Sequence, residues 1–164
     1  MRNKMQYSTD YIQVLTDSLR KKISLLDTIS QINGEQKQLA AEKRMDLELF
    51  EETVKRKSDC IDELNKLDDG FQLVYDRVKP ELQGNSEKYK AEIRVLKQLI
   101  SEITEKSMAV QAEEERNKQA VAAHFATYKK EIRQVKASRS ATTNYYKSMN
   151  KLQNVEPVFM DKKK

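Results

Sequence analysis

The sequence predicts an all-α fold: a long-helix antiparallel hairpin or three-helix bundle with coiled-coil packing, followed by a short C-terminal tail. Apolar residues recur every three or four positions over most of the chain, which is the spacing of amphipathic helices. Hydrophobic residues make up 38% of the chain and charged residues 35%, a balance typical of long helices rather than of a packed α/β core. Only three glycines and two prolines interrupt the pattern.

The first helix is predicted over residues 8–44. Ser8 or Thr9 can cap its N-terminus, with Asp10 in the first turn, where the helix dipole favours a carboxylate. Asn33-Gly34 usually favours a turn, but the residues after it are good helix formers, so we expect a weakened point in a continuous helix. Its apolar stripe comprises Tyr11, Ile12, Leu15, Leu19, Ile23, Leu26, Ile29, Ile32 and Leu39.

The second helix is predicted over residues 46–79, with Asp46 as its N-cap. The apolar stripe keeps its phase across Gly70, so we expect the helix to continue through that glycine. Pro80 is expected to end it, and Asn85 or Ser86 to cap the next helix. The inner face comprises Leu47, Phe50, Val54, Ser58, Ile61, Leu64, Asp68, Phe71, Val74, Tyr75 and Val78.

The third helix is predicted over residues 86–135. Its stripe is apolar at both ends and polar in the middle, at Ser107, Glu114 and Asn117. A shorter second helix would cover the third only as far as about Val110. The far end, 121–135, then projects as an interaction surface, unless residues 15–26 of the first helix cover it.

Residues 1–135 are predicted to form the bundle and residues 136–164 a basic tail. The tail contains a short apolar pattern in which Tyr145, Met149 and Leu152 share one helical face. It can act as a free binding segment or fold back on its own bundle. The predicted partner-binding residues of both surfaces are Val121, Phe125, Tyr128, Ile132, Val135, Tyr145, Tyr146, Met149, Leu152, Val155 and Phe159.

Composition argues against catalysis and cofactors. Cys60 is the only cysteine and His124 the only histidine, so no Cys or His cluster is available for a metal. No glycine-rich phosphate loop is present. The N-terminus leads into polar helical sequence without an apolar run, and no stretch is long and apolar enough for a membrane span. We therefore expect a cytoplasmic protein that is not an enzyme and carries no cofactor or metal.

The positive charge is confined to the tail. Residues 1–135 contain 24 Lys and Arg against 24 Asp and Glu, whereas residues 136–164 contain seven against two. A nucleic-acid-binding protein usually has a basic face on its folded body, and a neutral body disfavours that class. Two alternatives concern the tail: it binds RNA or anionic lipid as an adaptor, or its charge only keeps the protein soluble.

The chain resembles the flagellar export chaperones of the FlgN type. The stretches that carry the resemblance begin at Leu25-Leu26-Asp27 and Asn33-Gly-Glu-Gln-Lys. They continue with Asp46-Leu-Glu-Leu-Phe-Glu-Glu-Thr-Val-Lys-Arg-Lys, Ile61-Asp-Glu-Leu-Asn-Lys-Leu-Asp-Asp-Gly-Phe and Tyr145-Tyr-x-x-Met-Asn. The similarity extends over nearly the full length and includes no catalytic signature.

The resemblance implies a type III export chaperone that keeps hook–filament junction (hook-associated) proteins unassembled and delivers them to the flagellar export gate. In that family the C-terminal part is associated with substrate binding, which corresponds here to residues 121–135 and 145–159. A monomer or weak dimer is expected, with no nucleic acid bound. The competing hypothesis is a structural or self-assembling coiled-coil component of an export apparatus.

Overall fold

Three helices of equal length make up the part of the chain that the structure describes. The computed structural model describes residues 4–127 and Asn144, with side chains from Ser8 onward. Helix α1 spans Lys4–Ala41, α2 spans Leu47–Gly84 and α3 spans Lys90–Thr127, each of 38 residues. The helices pack against one another without any strand in the described residues, so the predicted all-α bundle is confirmed.

The helices alternate in direction. Lys22 pairs with Asp68 and Gln36 with Thr53, so α1 and α2 are antiparallel. Lys106 of α3 reaches Asp27, and farther along both helices His124 reaches Ala40, so α1 and α3 are parallel. Helix α1 packs closely against both others, whereas α2 and α3 meet through long side chains.

Most buried positions follow a seven-residue repeat of alternating three- and four-residue steps, which is the spacing of coiled-coil packing. In α1 they are Ile12, Leu15, Leu19, Lys22, Leu26, Ile29, Asn33 and Gln36. In α2 they are Phe50, Val54, Lys57, Ile61, Leu64, Asp68, Phe71, Val78 and Leu82. In and just before α3 they are Tyr89, Leu96, Ile103, Ser107, Val110, Glu114, Asn117 and Val121. Thr16, Ile32 and Thr53 are buried beside the main seam.

The predicted end of the second helix is wrong. Helix α2 continues through Pro80 to Gly84. An interior proline costs about 3 kcal/mol, because it removes one backbone hydrogen bond and crowds the preceding turn. Val78 and Leu82 on either side of Pro80 are both buried, and packing of this last turn against the bundle offsets that cost.

Two predicted N-caps also differ from the structure. Ser8 lies inside α1, which begins at Lys4, and it is buried because the seven-residue repeat extends back to it. Asn85 and Ser86 belong to the turn before α3, where the Asn85 carbonyl accepts from the Lys88 and Tyr89 amides. The predicted cap at Asp46 is confirmed, since its carboxylate accepts a hydrogen bond from the Leu49 amide at 3.1 Å.

Gly34 and Gly70 both lie inside helices. Helix α1 is continuous through Gly34, so no break occurs at Asn33-Gly34, and α2 is continuous through Gly70 as predicted. A Cβ added at either glycine would meet no atom within 4 Å. Neither has a positive φ.

Replacing Gly70 by alanine is expected to raise the free energy of unfolding by about 0.5–1 kcal/mol. Alanine has the higher helix propensity and restricts the unfolded chain, and the new methyl group has open space around it. Urea denaturation followed by circular dichroism measures the change. Gly84→Ala, at the last residue of α2, serves as the control with a smaller gain. A loss of stability at Gly70 would show that this face is covered in solution.

Candidate functional site

Two of the predicted partner-binding residues lie in the described bundle. Val121 is only 2% exposed. Phe125 is half-buried and packs edge-on against Phe50 of α2, with ring centroids 6.5 Å apart and an interplanar angle of 81°. Both therefore contribute to intramolecular packing. The other predicted residues, Tyr128, Ile132, Val135, Tyr145, Tyr146, Met149, Leu152, Val155 and Phe159, lie outside the described residues.

The expectation that the end of α3 projects beyond the bundle is wrong as far as Thr127. Helix α2 has 38 residues and its first turn, at Phe50, reaches Phe125. The cover from α1 comes from its C-terminal end, where His124 Nε2 lies 2.8 Å from the Ala40 carbonyl oxygen. Residues 15–26 do not cover this end because α1 and α3 run in the same direction.

His124 makes a contact that the sequence did not predict. Helix α1 ends at Ala41, so the Ala40 carbonyl is one of the last four of the helix and lacks a partner within it. The imidazole of His124 bonds this carbonyl from the neighbouring helix. His124 thus joins the ends of α1 and α3.

A layer of buried polar side chains crosses all three helices next to this closed end. Lys57 Nζ of α2 donates to Glu114 Oε1 of α3 at 2.6 Å and to Asn33 Oδ1 of α1 at 2.8 Å. The Lys57 and Glu114 side chains are 1% and 6% exposed. Asn117 Nδ2 donates to the Asn33 carbonyl oxygen at 2.9 Å. We call Asn33, Lys57, Glu114 and Asn117 the polar layer.

Further hydrogen bonds extend the polar layer along α1. Glu113 accepts from Ser30 Oγ at 2.8 Å and from Asn33 Nδ2 at 3.0 Å. One turn farther along, Gln36 Nε2 donates to Thr53 Oγ1 at 3.0 Å. Each of these bonds joins α1 to another helix. They therefore fix the axial position of α1 relative to both neighbours.

A second buried ion pair lies about three turns away. Lys22 Nζ of α1 is 2.9 Å from Asp68 Oδ1 of α2, and their side chains are 3% and 7% exposed. Buried ion pairs add little net stability, because removing two charges from water costs about as much as their attraction returns. Their attested use in coiled coils is to specify register and partner number, and these two pairs suit that role.

Sequence patterning found only part of this network. The interrupted stripe of α3 indicated Ser107, Glu114 and Asn117, and all three are buried. Lys57 was missed, because Ser58 was placed on the inner face instead, and Ser58 is only half-buried. A strict alternation of four- and three-residue steps from Phe50 through Val54 to Ile61 passes through position 57. That signal would have identified the lysine.

Burial changes the titration of Lys57. Loss of hydration lowers the pKa of the Lys57 ammonium from 10.5 to about 8, and this outweighs the carboxylates of Glu114 and Glu113, which act in the opposite direction. Charged lysine is disfavoured in a low-dielectric environment. The polar layer therefore holds an ammonium group that gives up its proton more readily than a surface lysine does.

This shift predicts that stability rises with pH in the alkaline range. Between pH 8 and 10.5 the unfolded chain binds more protons at Lys57 than the folded chain does, so the free energy of unfolding increases with pH. The contribution is fully present above pH 10.5 and is lost as the pH falls through about 8. Urea midpoints of the natural chain and of Lys57→Met across this range isolate it. A difference that stays constant with pH would contradict the shift.

No helix among the described residues is both long enough and apolar enough to cross a membrane. This follows from the charged residues that occupy the outer positions of every seven-residue repeat.

Comparison with known proteins adds one match. Neither the curated proteins nor the solved structures include a significant match to this chain. The model of the FlgN protein family matches residues 5–153. This range covers α1 from its second residue, all of α2 and α3, the polar layer and the first apolar residues of the tail through Leu152. The match extends over most of the 164 residues, and the chain therefore belongs to the FlgN family of flagellar export chaperones.

Proposed function

We propose that this protein binds hook–filament junction (hook-associated) proteins in the cytoplasm and keeps them unassembled until they are delivered to the flagellar export gate. The observation that carries the proposal is the family match, which runs from α1 into the tail as far as residue 153. It is supported by the packing of the bundle, in which the apolar stripes of the three described helices bury one another in a single core. The binding capacity is accordingly assigned to residues after Thr127.

The tail has the composition that such a role needs. Residues 128–164 contain ten Lys and Arg against three Asp and Glu. Tyr145, Met149 and Leu152 lie at positions i, i+4 and i+7, so a helix formed on contact would present them on one face. Pairing of this face with an amphipathic helix of the substrate would cover apolar surface that otherwise drives polymerisation.

The proposed binding surface comprises the nine predicted residues after Thr127. Tyr128, Ile132 and Val135 continue the inner stripe of α3 in sequence. Val121 and Phe125, which precede this stretch in sequence, are packed in the bundle. The described part of α3 thus supports the surface rather than forming it.

Co-elution with light scattering tests the function. The full chain, of 19.2 kDa, is mixed with a C-terminal fragment of a hook-associated protein. We expect a monomer or weak dimer alone and a 1:1 complex with the fragment. RNA and anionic vesicles, used as competitors, should not displace the fragment.

A second candidate is a self-assembling coiled-coil component of an export apparatus. The seven-residue repeat in all three helices favours it, because the same repeat can pair helices of one chain or of several. In the structure the repeat is used within one chain. A stable oligomer at micromolar concentration, with no complex formed with the fragment, would favour this candidate and contradict the chaperone proposal.

A further inference from the structure

A shallow groove lies between the end of α1 and the start of α2. Its volume is about 350 Å³. The floor is apolar, formed by Leu39, which is half-buried, and Leu49, which is 49% exposed. Its edges are formed by Glu35, Glu42, Glu52 and Arg56. The groove therefore offers two leucine side chains surrounded mainly by carboxylates, and we call it the α1–α2 groove.

The charges of the groove are not all compensated within the bundle. Arg56 pairs with Glu35 at 2.8 Å across it, and both side chains are partly exposed. The carboxylates of Glu42 and Glu52 are exposed and form no hydrogen bond or ion pair with another described residue. The exposed leucines and the two carboxylates favour a ligand that is both apolar and cationic.

The chain supplies a segment of that chemistry. Between Tyr145 and Leu152 the apolar residues alternate with Lys147 and Lys151. The charge balance is complementary over a larger scale as well: α2 contains ten Asp and Glu against six Lys and Arg, and residues 128–164 contain three against ten. At ordinary ionic strength such complementarity acts over about 8–10 Å.

The segment can also reach the groove. The contact between His124 and Ala40 places the end of α3 beside the end of α1, and Leu39 and Glu42 of the groove lie within two residues of Ala40 in sequence. Seventeen residues, 128–144, connect Thr127 to Tyr145. They can span roughly 25 Å as a helix or roughly 55–60 Å when extended. The connection is therefore long enough in either conformation.

We propose that residues 145–152 of the same chain dock into the α1–α2 groove when no partner is bound. Met149 and Leu152 contact Leu39 and Leu49, while Lys147 and Lys151 face Glu42 and Glu52. Because this segment also belongs to the proposed partner-binding surface, the inference rests on the proposed function. A substrate must displace the segment, which makes docking a competitor that lowers apparent affinity.

Paramagnetic relaxation measured by NMR tests the docking in the free chain, independently of any partner. A spin label is placed at Gln38→Cys, at the groove, in a full-length Cys60→Ala background. Arg20→Cys, about 27 Å away along α1, carries the control label. We expect the amide signals of residues 145–152 to lose more than about half their intensity with the label at 38 and little with the label at 20. No loss at 38 would overturn the proposal.

Charge reversal of the groove provides the second arm. Glu42→Lys with Glu52→Lys should abolish the signal loss, whereas the matched pair Asp62→Lys with Asp69→Lys, exposed elsewhere on α2, should preserve it. If the two pairs of substitutions have the same effect on the signal loss of residues 145–152, the assignment of the groove is overturned. Chains without a spin label are also mixed with spin-labelled chains. If residues 145–152 lose signal only through the label of another chain, the occupant of the groove is a second copy, and the proposal is overturned.

The competition has a measurable consequence. If the segment is docked in 50–90% of molecules, the groove variant should bind a hook-associated fragment roughly two- to tenfold more tightly than the natural chain. Weaker or unchanged binding by this variant would contradict competition. Failure of all variants to bind the fragment, with signal loss intact, would instead contradict the proposed function and leave docking established.

Discussion

Replacing Lys57 by methionine is expected to lower the free energy of unfolding by about 3–5 kcal/mol, because it leaves the carboxylate of Glu114 buried without its ammonium partner. The two side chains are almost fully buried and 2.6 Å apart. Methionine keeps the length and volume of lysine, so the loss reports on the hydrogen bonds that Lys57 donates to Glu114 and Asn33 rather than on a cavity. Urea denaturation followed by circular dichroism measures it.

The double variant Lys57→Met with Glu114→Leu is expected to regain at least half of the loss. It removes both charges together and replaces them by apolar side chains of similar size. Arg56→Met, which breaks the exposed pair with Glu35, is the control and should cost less than about 1 kcal/mol. Lys57→Met and Glu114→Leu are also measured singly. If the free-energy costs of these two single variants simply add in the double variant, the polar layer is not a coupled unit.

Replacing Phe50 by alanine is expected to cost about 3–5 kcal/mol, the range for large buried aromatic side chains. Phe50 is almost completely buried and packs against Phe125 at the closed end of the bundle. Phe125→Ala should cost less, because its side chain is only half-buried. Urea denaturation gives both values, and hydrogen exchange of the residue 121–127 amides reports whether this end loosens.

Leu73→Ala provides the control for Phe50. Leu73 is 71% exposed, and its replacement should change stability by less than about 0.5 kcal/mol. A cost below about 1 kcal/mol for Phe50→Ala would mean that the end formed by Phe50, Val121 and Phe125 is open in solution. Val121 and Phe125 would then be available to a partner after all.

Apolar spacing of three or four residues was sufficient to predict three long helices, and the short connections between them predicted their antiparallel order along the chain. It was also sufficient to carry α2 across Gly70, because Leu64, Phe71 and Val78 keep one phase. It could not place the end of α2, because the local cost of Pro80 competes with the packing of Leu82, and only tertiary structure decides between them. The low helix propensity of Pro80 therefore led to a predicted end of α2 that is too early.

The polar layer shows the second limit of sequence patterning. Lys57, Asn33 and Lys22 occupy seam positions of the repeat, but a search for apolar residues passes over them. Their partners come from other helices, so burial becomes favourable only after α1 is aligned with both neighbours. The projection expected for Val121 and Phe125 failed for the same reason, since the relative direction of α1 and α3 is a property of the whole bundle.

The most direct test of the central claim compares two matched double variants by isothermal titration calorimetry with a hook-associated protein fragment. Met149→Glu with Leu152→Glu changes the tail. Met108→Glu with Leu73→Glu makes the same chemical change at two residues of the bundle that are 65% and 71% exposed. We expect the tail pair to weaken binding at least tenfold and the bundle pair to leave it within about twofold, each tenfold step corresponding to about 1.4 kcal/mol. Equal binding by the two pairs would contradict capture by the tail.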